Sequence, residues 1–261
     1  MSDSQVDEVE ERALALLKDR DAPRRRARPR VARALSEAVE HMLPVASGEV
    51  AAWRLGEGPA VLMVHGWEDD NALWGPAIDL FSQWGRPVVV IDLPGHGFST
   101  ATDASIRSVG EAVIAAAEAL GPVEALIGHS YGCGAIIHAL SHGLAPRKTV
   151  LIASPVPRTR PRKPLEVDDD VPPEVVARAE ELRQQHAVGQ TERIEAALTA
   201  MTAPCLVVHS IDDEQTPLSN SQRLVELWPG ADLFLADQLG HRFVAQDGDV
   251  LERIVRFVEE A

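Results

Sequence analysis

What most constrains the fold of this chain is a rhythm of short apolar runs and longer helical patterns. It starts with a strand at Val61 to Val64, a helix near Pro76 to Trp84, a strand at Val88 to Ile91, a helix at Ile106 to Leu120 and a strand at Ala125 to Ile127. It continues with a helix at Gly132 to Leu140, strands at Thr149 to Ala153 and Cys205 to Val208, a helix at Ser219 to Leu227, a strand at Leu233 to Ala236 and a helix at Val250 to Glu259. A strand reaches a parallel neighbour only through a long crossover, usually a helix, so this alternation predicts an α/β protein with a mostly parallel, doubly wound sheet. With 261 residues, 45% of them apolar, the chain is long enough to cover both faces of such a sheet.

Two segments break the rhythm. Between Ser154 and about Thr202, proline, arginine and acidic residues crowd Pro155 to Pro173, followed by helical patterns at Glu174 to Gln185 and Thr191 to Met201. This predicts a small helical cap inserted at about 155–202. Residues 1–43 read as an N-terminal helical extension: a polar helix near Val6 to Lys18, a basic run from Ala22 to Arg30, and a second helix from Val31 to about Met42 that docks on the main domain. The main domain then covers 44–261, opening with a β-hairpin in which Ser47-Gly48 turns the chain into Glu49 to Leu55.

The 25 Lys and Arg against 40 Asp and Glu give a formal charge of −15, which repels a nucleic-acid backbone. No stretch approaches the ~18 consecutive apolar residues of a membrane span, and the acidic N-terminus has no apolar leader, so a cytoplasmic protein with no nucleic-acid or membrane partner is expected. Cys133 and Cys205 lack metal-ligand spacing and read as small buried hydrophobes. Oligomeric state is left open.

Chemistry enters with Gly128-His129-Ser130-Tyr131-Gly132. Its G-x-S-x-G pattern follows an apolar run and opens a helical one, an order that forces the central residue into a strained turn and lifts the Ser130 hydroxyl above the sheet. With this motif the chain resembles the α/β-hydrolase family, and several further segments agree. Val61 to Trp67 is similar to the family's strand ending in His-Gly-x, which implies that the Trp67 amide is one oxyanion donor and the Tyr131 amide the other. Asp92-Leu93-Pro94-Gly95-His96-Gly97-Phe98-Ser99 resembles its Gly-rich turn. Val207 to Pro217 resembles the segment carrying the catalytic acid, with Ser210 where glycine is commoner and Thr216 where valine is. Alignment on Ser210 and Pro217 selects Asp213, with Asp212 as the alternative. His241, in Gly240-His241-Arg242, is the one histidine C-terminal to the acid and hence the base.

The resemblance implies a serine hydrolase without cofactor or metal, acting on a small-molecule substrate. A hydroxyl is a weak nucleophile at neutral pH, so a base must take its proton, a carboxylate must fix that base's tautomer, and two amides must stabilise the tetrahedral oxyanion. A carboxylic ester is the simplest substrate. A thioester, amide or carbon–carbon bond needs the same parts, as does a haloperoxidase-like side activity, and the fold also serves non-catalytic binding proteins. The serine at position 130 argues against a dehalogenase, which has aspartate there.

Of the other histidines, His65, His96 and His129 bond backbone or pack within motif turns, while His138, His142, His186 and His209 carry no assignment. Asp168 to Asp170 reads as solvated surface, whereas Glu68-Asp69-Asp70 sets negative charge near the mouth and disfavours anionic substrates. A short cap with few large side chains, chiefly Leu182, Ile194, Leu198 and Met201, covers a small pocket. Trp67, Tyr131, Trp74 and Phe98 narrow it, which favours small neutral esters. Arg158, Arg160, Arg162 and Lys163 are the groups that would instead steer an anion to the mouth.

Overall fold

The structure, a computed structural model, describes residues 3–20, 23, 31–159, 164, 165, 167, 168 and 170–260. Eight strands form one sheet: β1 (Val39–Val45), β2 (Gly48–Leu55), β3 (Ala60–Val64), β4 (Val88–Ile91), β5 (Val123–His129), β6 (Lys148–Ile152), β7 (Cys205–Ser210) and β8 (Ala231–Ala236). Their order is β1-β2-β4-β3-β5-β6-β7-β8, with β1 and β2 antiparallel and all later strands parallel. Strands β3, β4, β6 and β7 are buried along their whole length, because both faces of the sheet are covered, which mainly aliphatic strands tolerate.

One face packs against α2 (Gly75–Gln83) and α8 (Gly248–Glu259), burying Trp53, Trp74, Phe81, Ile254 and Phe257. The other packs against α3 (Ile106–Leu120), α4 (Tyr131–Ser141) and α6 (Leu218–Leu227), burying Val113, Ile136, Leu224 and Trp228. Each such aliphatic or aromatic side chain contributes about 1.5–3 kcal/mol of burial free energy, which holds the carboxyl ends of the strands in fixed register. Cys133 and Cys205 are free thiols buried in this second layer.

Two expectations are corrected. The pattern from Val31 to Met42 is not a helix: Arg33–Leu35 makes a single 3-10 turn, and from Val39 the chain is β1, paired with β2 from Val39 against Arg54 to Val45 against Gly48. A complete interstrand ladder outweighs a weak helical periodicity, and Pro44 is tolerated because β1 is an edge strand. The sheet therefore begins ahead of residue 44, and Leu35 already belongs to its core. The two cap patterns are one helix, α5 (Pro173–Thr199).

The N-terminal helix, α1 (Asp3–Arg20), lies on the first half of α5. Ala13, Val175 and Ala179 are buried together with Val9, Leu16, Leu17, Leu165, Val171 and Leu182 around them, and Glu10 pairs with Arg178. The second half of α5 turns Ile194 and Leu198 into the core beside α4. The basic run from Ala22 to Arg30, apart from Pro23, lies outside the described residues, as do Arg160, Arg162, Lys163 and Asp169.

Candidate active site

The site forms at the carboxyl ends of β3, β5 and β7. Ser130 sits between β5 and α4 with φ 50° and ψ −118°, a left-handed conformation that a non-glycine residue holds only when its surroundings enforce it. The enforcement is visible in the main chain: Ser130 N donates to Ile152 O at 2.8 Å. A Cβ at position 132 would lie 2.3 Å from Val64 O, and one at 128 would lie 3.0 Å from Cys133 N, so both flanking positions require glycine.

His241 lies on the short helix α7 (Gly240–Phe243). Its Nδ1 is 2.7 Å from Asp213 Oδ2 and its Nε2 is 2.9 Å from Ser130 Oγ. An ionised carboxylate only accepts, so Nδ1 carries the proton and Nε2 is the acceptor facing the serine hydroxyl. The structure thus brings Ser130, His241 and Asp213 into one hydrogen-bonded chain.

Asp213 is caged. Oδ1 accepts from Gln215 N at 2.8 Å and Thr216 N at 2.9 Å, and Oδ2 also accepts from Thr216 Oγ1 at 2.6 Å. Burial presses its pKa upward, but the bonds from His241 and Thr216 outweigh burial and hold it down at about 2. Asp212, the alternative acid, faces elsewhere: its Oδ1 accepts from Ser210 Oγ and from Gly240 N at 3.1 Å, while Ser210 Oγ accepts from Leu239 N at 3.2 Å. It holds the turn that carries His241. Thr216, a departure from the family pattern in the sequence, is a donor to the buried acid through its hydroxyl.

On the other side of Ser130, the loop after β3 carries Trp67. Gly66 O accepts from His65 Nδ1 at 2.7 Å and from Asp69 N at 3.4 Å. In a trans peptide the N–H points opposite to the carbonyl, so these bonds turn the Trp67 amide away from His65 and Asp69. Tyr131 supplies the first amide of α4, and the Trp67 and Tyr131 rings meet edge to face at 5.2 Å. Tyr131 is anchored by its hydroxyl, which donates to Ala104 O at 2.8 Å.

His129, next to Ser130, donates from Nε2 to the main-chain oxygen of His241 at 2.8 Å. Burial pushes its pKa down to about 4, so it stays neutral. The acidic cluster differs from expectation: Asp69 and Asp70 are buried, Asp69 pairs with Arg242, and Asp70 Oδ1 accepts from Ala72 N at 3.0 Å. Asp69 therefore presents no bare charge to a substrate. Trp74 and Phe98 do not narrow the site either, since Trp74 is in the α2 core and Phe98 packs edge to face on Trp53. Among the described residues no group of three or more His, Cys, Asp or Glu could hold a metal ion, and no helix is long and apolar enough to cross a membrane.

The sequence profile of the alpha/beta hydrolase family matches residues 61–254, a span holding all the site residues described above. The chain belongs to that family. Among curated family relatives, it is similar to the pimeloyl-[acyl-carrier protein] methyl ester esterase of Nitrosospira multiformis, 44% identical over 45 residues that make up 17% of each chain. It is also similar to the enzyme of that name from Xanthomonas campestris, 30% identical over 100 residues, or 38% of each chain. The matches thus span 17% and 38% of these relatives' lengths. Among solved structures, an esterase from Exiguobacterium antarcticum superposes with a TM-score of 0.68 at 18% identity, covering 85% of this chain and 100% of that one. At that identity the likeness is one of fold.

Proposed function

We propose that this alpha/beta hydrolase cleaves carboxylic esters through an acyl-enzyme on Ser130. The observation that carries the reading is the hydrogen-bonded chain from Ser130 Oγ through His241 to Asp213, seated on a strained strand-to-helix turn. His241 Nε2 takes the hydroxyl proton as Oγ attacks the ester carbonyl. The carbonyl oxygen becomes an oxyanion that the Trp67 and Tyr131 amides stabilise, and His241 then protonates the departing alcohol. Water enters along the same path: His241 accepts its proton, the second oxyanion collapses, and Ser130 leaves with the proton as the carboxylate is released. Asp213, kept ionised, orients the imidazole and stabilises its protonated form. Every part comes from the chain itself, so the reaction calls for neither cofactor nor metal.

The names of the curated relatives and of the structural neighbour support an ester as the scissile bond. Small acyl groups are preferred, because the paired rings of Trp67 and Tyr131, the two residues assigned to the oxyanion hole, fill space at the site. The test is kcat/KM across p-nitrophenyl esters from acetyl to palmitoyl. A maximum at a few carbons is expected, a maximum at long chains contradicts the small pocket, and no turnover of any ester contradicts the reading itself.

A further inference from the structure

We infer that His96, in the Gly-rich turn after β4, is a positioning residue of the oxyanion hole; the inference rests on the ester-hydrolase reading. Glu68, directly after Trp67, has φ 54°. A glutamate in that left-handed region carries a local cost of about 1 kcal/mol or more, so something outside the loop must hold it there. The holder is His96. Glu68 N donates to His96 Nε2 at 3.0 Å, and His96 Nδ1 is 2.9 Å from Pro94 O. A carbonyl can only accept, so Nδ1 carries the proton, Nε2 is a bare acceptor and the ring is neutral. His96 is 1% exposed and its ring meets that of Trp67 edge to face at 5.4 Å.

The other side of Trp67 is held in the same way. His65 Nε2 accepts from Leu93 N at 2.9 Å, and His65 Nδ1 donates to Gly66 O. Each peptide plane flanking Trp67 is therefore tied to one neutral imidazole, and the two imidazoles meet edge to face at 5.1 Å. Packing alone would be met by a phenylalanine. What the turn needs at position 96 is an acceptor at the reach of Nε2, because without it the Trp67–Glu68 peptide loses its tie and Trp67, whose own N–H lies in the neighbouring Gly66–Trp67 plane, is held from one side only.

The test compares His96→Leu, which removes the acceptor, with His96→Gln, whose side-chain oxygen reaches the same place. His96→Leu is expected to lower kcat by about 10- to 100-fold with KM within about threefold, because the lost contact acts on the transition state. Affinity for a trifluoromethyl ketone, whose hemiketal oxygen sits where the oxyanion forms, should fall by the same factor as kcat/KM. His96→Gln should recover kcat to within about fivefold of wild type. If His96→Leu does not fold, His96→Asn, too short to reach Glu68 N, takes its place. Unchanged kcat in the acceptor-free variant, or a glutamine variant no better than it, overturns the inference while leaving the ester-hydrolase reading standing. A wild-type protein inert toward both esters and the ketone overturns that reading and the inference together.

Discussion

Asp69 and Arg242 join the loop after β3 to helix α7: Arg242 Nε lies 2.8 Å from Asp69 Oδ2 and Arg242 Nη2 lies 3.0 Å from Asp69 Oδ1. One residue is two positions past Trp67 and the other directly follows His241. The geometry is bidentate, the form in which a guanidinium fixes direction as well as distance. The Asp69 side chain is 6% exposed whereas that of Arg242 is 47% exposed, so the carboxylate depends on the pair more than the guanidinium does. Arg242→Gln is expected to lower kcat about tenfold and to destabilise the fold by about 1–3 kcal/mol, by leaving a buried carboxylate without its cation. In a double-mutant cycle Asp69→Asn should add little to that loss. Fully additive losses in kcat would show that the loop and α7 are not coupled through this pair.

The two neighbouring acids should separate cleanly. Asp213→Asn removes the carboxylate that fixes the His241 tautomer and is expected to lower kcat by about 10⁴-fold. Asp212→Asn keeps an acceptor for Gly240 N and should cost no more than about tenfold. Thr216→Val, which removes one donor to Asp213, should fall between wild type and Asp213→Asn and raise the Asp213 pKa. Steady-state kinetics of the three variants decide this, and a larger loss for Asp212→Asn than for Asp213→Asn would reverse the assignment.

Stability should vary with pH in two opposed windows. Asp213 has a folded-state pKa of about 2, below its ordinary 3.8, so its contribution is present above 3.8 and is lost as pH falls toward 2. Asp92 is the reverse. It is fully buried, and burial raises its pKa to about 6 against the bonds from Phe98 N and Asn71. The folded state then binds the extra proton between about 3.8 and 6, and stability falls as pH rises through that window by roughly 3 kcal/mol at most. Urea unfolding of wild type at pH 4 and pH 6.5 should show the fall, and Asp92→Asn, whatever its absolute stability, should not. An equal fall in both proteins would place the proton elsewhere.

The N-terminal helix should prove to be part of the cap. Ala13 is fully buried against Val175 and Ala179, so Ala13→Asp places an unpaired carboxylate in an apolar contact and costs about 2 kcal/mol or more locally. Hydrogen exchange should rise in α1 and the first half of α5 while amides of β3 and β5 stay protected. Unchanged protection in α1 would show that the helix is not held by this contact.

Most of the sheet could be read directly, because its central strands are short, mainly aliphatic runs separated by amphipathic helices, and local pattern and tertiary environment agree there. β1 could not, since its helical spacing is a coincidence overruled by the ladder to β2. The nucleophile, acid and base candidates were readable because each sits in a short local motif, and the structure brings those three side chains together. What surrounds them was not. The Asp69–Arg242 pair joins residues 173 positions apart, and His96 acts through a main-chain amide, so neither leaves a local signature. Glu68-Asp69-Asp70 reads as negative charge at the mouth, but the burial of Asp69 and Asp70 and the pairing of Asp69 with Arg242 are properties of the fold.

The most direct test of the account is labelling with a fluorophosphonate, which modifies only a serine activated by a neighbouring base. Intact-mass analysis of the wild-type protein should show one adduct, peptide mapping should place it on Ser130, and Ser130→Ala, folded as judged by circular dichroism, should take up no label. An adduct on another residue, or undiminished labelling of the alanine variant, would contradict the assignment of Ser130 as the nucleophile.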